Sequence, residues 1–111
     1  MNRYRVAALS DLNEGEGVPV DVEGTAIALF RRGQEVTAVG DSCPHMGAAL
    51  SDGYLDDETV VCPWHGWVFE LETGRSTFDE ESCIPVYRTV VEGDDVFVEL
   101  PAIAGESSAT P

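Results

Sequence analysis

The chain has 111 residues, a length that suits one domain with a modest core. Its 21 acidic side chains against 6 basic ones leave a net charge of −15 at pH 7, which repels phosphate backbones and excludes nucleic acid as a partner. The opening Met1-Asn2-Arg3-Tyr4-Arg5 leads into no apolar stretch, so neither a signal peptide nor a membrane anchor is expected.

In chain order, residues 4–9 read as an opening strand and residues 10–15 as a polar turn. Val18, Val20 and Val22 alternate with Pro19 and Asp21, the period of a strand, and Pro19 assigns that strand to a sheet edge. Glu23-Gly24 marks a hairpin turn into residues 25–30, and Arg32-Gly33 a second turn into residues 35–39. After a loop over residues 41–47, residues 59–61 and 67–71 read as short strands separated by residues 62–66. Residues 78–85 read as irregular. Residues 86–91 and 96–100 form a closing hairpin about Gly93-Asp94, and residues 102–111 read as a flexible tail. Short strands at close spacing predict an all-β, antiparallel fold of one domain over residues 1–101, with residues 41–82 inserted as a separate subdomain.

Two loops in that insertion carry the chemistry. Cys43-Pro44-His45-Met46-Gly47 and Cys62-Pro63-Trp64-His65-Gly66 each begin with Cys-Pro and add a His, and they contain both histidines of the chain. Two thiols and two imidazoles in matched loops predict one metal site built from Cys43, His45, Cys62 and His65. A structural zinc site commonly pairs Cys with Cys in one knuckle and His with His in the other. Loops that each mix one Cys with one His suit two sulfide-bridged irons instead, with the thiolates on one iron and the imidazoles on the other. A zinc module remains the alternative. The third cysteine, Cys83, reads as a small buried thiol. With two of three cysteines in the loops, no disulfide pair is left, which predicts a reducing, cytoplasmic setting.

The spacing Cys43-x-His45-x₁₆-Cys62-x-x-His65 closely resembles the signature of the Rieske [2Fe–2S] family. That resemblance implies an antiparallel β-sandwich with a cluster-binding subdomain at one tip, one [2Fe–2S] cluster, and His ligands near the surface where electrons leave. Ligation by two His leaves the oxidised cluster formally neutral, where four thiolates would leave it doubly negative. Reduction is therefore easier, at roughly −150 to +300 mV against about −400 mV for all-Cys clusters. Such a protein is a one-electron carrier, not a complete enzyme. Pro44 and Pro63 stiffen the loops, and Gly47 and Gly66 allow tight turns beside the His ligands. Trp64, Trp67 and Phe69 are candidates for shielding the cluster or for ordinary core.

Rieske proteins of respiratory complexes usually carry an extra cysteine in each loop, where this chain has Ala48 and Trp64. Their hydroxyl-bearing residues are matched here by Trp67 and Phe69, which predicts a potential in the lower part of the Rieske range. The second loop is similar to that of ring-hydroxylating oxygenases, but no histidine remains for their mononuclear iron. The resemblance therefore implies a ferredoxin that passes electrons from a reductase donor to an oxygenase. The alternative is the small subunit of a cytoplasmic NAD(P)H-dependent nitrite reductase. The acidic surface suits basic redox partners, and a solvated face explains it equally well.

Overall fold

The computed structural model describes residues 2–42, 49–63, 67–77 and 83–104, the last four of these through their backbone. The described residues form nine strands. They are β1 (Asn2–Ala8), β2 (Gly17–Val22), β3 (Thr25–Arg32), β4 (Glu35–Gly40), β5 (Tyr54–Asp56), β6 (Thr59–Val61), β7 (Val68–Glu70), β8 (Val86–Glu92) and β9 (Asp95–Ala104). Six of them form one sheet in the order β1-β9-β8-β4-β3-β2, and β5-β6-β7 form a second. All strand pairs are antiparallel, as the alternation in the sequence predicts.

The smaller sheet lies in the chain between β4 and β8, yet those two strands pair directly, Ala38 with Tyr87 and Val39 with Val86. A segment can leave a sheet and return to the neighbouring position only if its ends stay together. Gly40 secures this join. Its N–H donates to Pro85 O at 2.8 Å, and a Cβ on Gly40 would sit 2.7 Å from Pro85 Cγ.

Burial follows the period of two. Along β3, Ile27 and Leu29 enter one apolar cluster with Val36, Ala38, Val96 and Val98. Ala28 and Phe30 enter the other, which joins the two sheets through Leu50, Val60, Phe69 and Ile84. Residues 27–30 are therefore an unbroken apolar run because β3 is covered on both faces. β2 is an edge strand, the position that Pro19 assigns it, since a residue without an N–H cannot serve two neighbours. Glu23 and Gly24 have φ of 52° and 82°, the left-handed pair that a two-residue hairpin turn needs.

Three features differ from the sequence reading. Leu9 leaves the first strand for a 3₁₀ turn, Leu9–Asp11, held by Arg31 Nη1, which donates to Leu9 O and Leu12 O at 3.0 Å each. Residues 54–56 form β5, although Tyr54-Leu55-Asp56 is too short for a strand pattern to show. β9 runs on to Ala104, so residues 102–104, expected in the tail, are strand. They regain pairing after an irregularity: the ladder passes from Arg88–Glu99 to Val86–Ala104, with Pro101, which has no N–H, between the two registers. Among the described residues no helix is long and apolar enough to cross a membrane.

Candidate metal centre

β6 runs out of the interior and delivers Cys62 at its end. Val60 and Val61 are buried, and Cys62 keeps only 1% of its surface exposed, while the next residue, Pro63, faces solvent. The Cys62 N–H donates to Trp67 O at 2.7 Å. That bond sets Cys62 beside Trp67, the residue before β7. Cys43, His45 and His65 lie outside the described residues, as do Pro44, Gly47, Trp64 and Gly66.

Among the described residues, the side chains that share a buried cluster with Cys62 are apolar. Phe69, fully buried, Leu71 and Ile84 share its cluster, and Trp67 packs against that cluster from its edge. The Trp67 and Phe69 rings lie 6.4 Å apart at 37°, within the range of favourable aromatic pairs. Phe69 is thus part of the core, and Trp67 lies at its margin. A thiolate bound to a cation has its charge compensated in the bond, so it can be held at a position as buried as this one. The burial of Cys62 therefore fits a metal-bound sulfur. Together with one more thiol and two imidazoles, the donor set suits iron–sulfide ligation.

Residues on either side of the first loop are held together as well. Asp41 accepts from the Ser51 N–H at 2.7 Å and from Ser51 Oγ at 2.9 Å, and its own N–H donates to Ala26 O at 3.1 Å. Ser51 lies in a second 3₁₀ turn, Leu50–Asp52, and is one of the buried polar residues. Neither residue stands out in the sequence, because an Asp before a loop and a Ser after it are common in any turn. Cys83 is half-buried rather than buried, forms no disulfide, and bridges Arg75 through its backbone.

Residues 2–88 match the Rieske [2Fe-2S] domain family. The chain is 41% identical over 108 residues to the 3-phenylpropionate/cinnamic acid dioxygenase ferredoxin subunit of Escherichia coli K12, covering 91% of this chain and 96% of the relative. Among solved structures it resembles the ferredoxin of carbazole 1,9a-dioxygenase from Nocardioides aromaticivorans IC177. The TM-score is 0.82 at 30% identity, over 91% of this chain and 100% of that one. It is also similar to a Mycobacterium tuberculosis protein assigned as the small subunit of an NADH-dependent nitrite reductase. There the TM-score is 0.84 at 30% identity, over 92% and 97% of the two chains.

Proposed function

The chain belongs to the Rieske [2Fe–2S] family, and on that premise we propose that Cys43 and Cys62 ligate one iron of its cluster and His45 and His65 the other. When bound, the cluster takes up and returns one electron at a time. The observation that carries this reading is the burial of Cys62 at the end of β6, in a wall made by Phe69, Leu71 and Trp67. These side chains exclude water from the sulfur. Phe69 also offers no hydrogen-bond donor where a hydroxyl would stabilise added negative charge, which supports a potential in the lower part of the Rieske range.

The protein serves as the ferredoxin of an oxygenase system, taking electrons from a flavin reductase and delivering them to the oxygenase. Its likeness to two dioxygenase ferredoxins supports this assignment. The charge pattern supports a basic partner: residues 41–82 hold ten acidic side chains, and Arg75 is their single basic one. A chain with no disulfide pair to spare suits the cytoplasm. A second reading, the small subunit of a nitrite reductase, is favoured by the M. tuberculosis likeness.

Anaerobic purification tests the cluster. Two irons and two acid-labile sulfides per chain, with a dithionite-reduced EPR spectrum of low average g, are expected; colourless protein with one zinc overturns the assignment. His65→Cys lowers the potential while retaining iron, and an unchanged potential removes His65 from the ligand set. Turnover of a purified oxygenase with its flavin reductase, dependent on this protein, separates the ferredoxin role from the nitrite reductase role.

A further inference from the structure

Asp41 precedes the first Cys-Pro-His loop by two residues and Ser51 follows it, and the two are joined by a double hydrogen bond. The Asp41 carboxylate takes the Ser51 N–H on one oxygen at 2.7 Å and Ser51 Oγ on the other at 2.9 Å. Both ends of this clasp are anchored elsewhere. Asp41 is fixed to β3 by its N–H bond to Ala26 O. Ser51 is pressed against β2, where a Cβ on Gly17 would overlap the Ser51 carbonyl. Two residues on, Gly53 lies against the carbonyl of Val61, the residue before Cys62. A continuous line of contacts thus runs from the start of the first ligand loop to the strand that carries the second.

We propose that Asp41 is a positioning residue for the cluster: its clasp on Ser51 fixes the span of the first ligand loop and registers that loop against Cys62. This inference rests on the ligand assignment above. The loop must present Cys43 and His45 in one geometry, and an unbraced loop would lose entropy on binding that a braced one has already lost. Asp41 acts through hydrogen-bond geometry. An Asn at this position keeps an oxygen for the Ser51 N–H and gains an NH₂ that can donate to Ser51 Oγ.

The test compares holoproteins. In Asp41→Ala, iron release to a chelator is expected to be about tenfold faster, at the low end of the effect of removing outer partners of metal ligands. The EPR lines of its reduced cluster broaden, because the loop samples several geometries. Asp41→Asn restores both to near the parent values. Ser51→Ala, which removes only the hydroxyl arm, gives an intermediate rate and keeps the test open where Asp41→Ala fails to fold. Parent-like EPR and iron release in Asp41→Ala overturn the proposal. So does an Asp41→Asn variant as impaired as Asp41→Ala, since that outcome assigns the effect to charge. If the parent itself yields no Rieske spectrum, the ligand assignment has failed instead.

Discussion

Gly53 turns its Cα onto the carbonyl oxygen of Val61, so closely that a Cβ at Gly53 would overlap that oxygen. The two residues are tied by register as well, because Tyr54 pairs with Val61 at the end of the β5–β6 ladder. Gly53 has an ordinary negative φ of −87°, so a side chain is excluded by space and not by backbone strain. Gly53→Ala must push β6 away or bend the turn at Leu50–Asp52. A destabilisation of about 1–3 kcal/mol is expected, the usual range for overpacking, read as a lower midpoint in urea. A midpoint unchanged from the parent would show that this contact relaxes freely.

Arg32 ties the two sheets at their outer ends. Its Nη1 donates to Asp57 O at 2.6 Å and to Glu58 Oε1 at 3.0 Å, bridging β3 to the β5–β6 hairpin tip. Glu58 has a side chain 75% exposed, so its charge adds little. Glu58→Gln should change stability by less than about 0.5 kcal/mol, whereas Arg32→Met, which removes the carbonyl bond as well, should cost about 1 kcal/mol. Equal costs for the two variants would assign the tether to the ion pair.

Phe69 is fully buried between the sheets and is the ring on which Trp67 rests. Phe69→Ala is expected to cost about 3–5 kcal/mol, through lost transfer energy and the cavity left behind. Phe69→Leu keeps most of the volume and should cost less than about 1.5 kcal/mol. Thermal unfolding of the two variants, with tryptophan fluorescence as the readout, separates these outcomes. A tolerated alanine would mean that the inter-sheet core collapses onto the gap.

Salt should stabilise this protein. With a net charge of −15, self-repulsion opposes the compact state, and added ions screen it. The ion pairs between Arg3 and Glu92 and between Arg5 and Asp95 are largely exposed, so little stability is lost when they are screened. Raising sodium chloride from about 10 to 500 mM, which shortens the screening length from about 30 Å to a few ångströms, should raise the melting temperature. The same change should slow electron delivery to a basic partner. A falling melting temperature would show that the ion pairs outweigh the repulsion.

Much of the architecture was legible because it depends on local pattern. The alternation of Val18, Val20 and Val22, the left-handed pair Glu23-Gly24 and the Gly93-Asp94 turn are short-range signals, and each appears in the fold as a strand or a hairpin. β5 escaped because Tyr54-Leu55-Asp56 has no strand pattern of its own and owes its conformation to pairing with β6. Residues 102–104 escaped for the same reason, since a late return to pairing opposite Val86 is decided by the partner strand.

Residue identity alone pointed to metal chemistry: two thiols and two imidazoles in paired Cys-Pro loops can be read without coordinates, because donor type is a property of each side chain. Which residues meet around the ends of those loops was decided only in three dimensions. Asp41 meets Ser51, Gly53 meets Val61 and β4 meets β8 through contacts between separated parts of the chain. Such meetings follow from how the whole fold buries its apolar faces, and no local pattern encodes them.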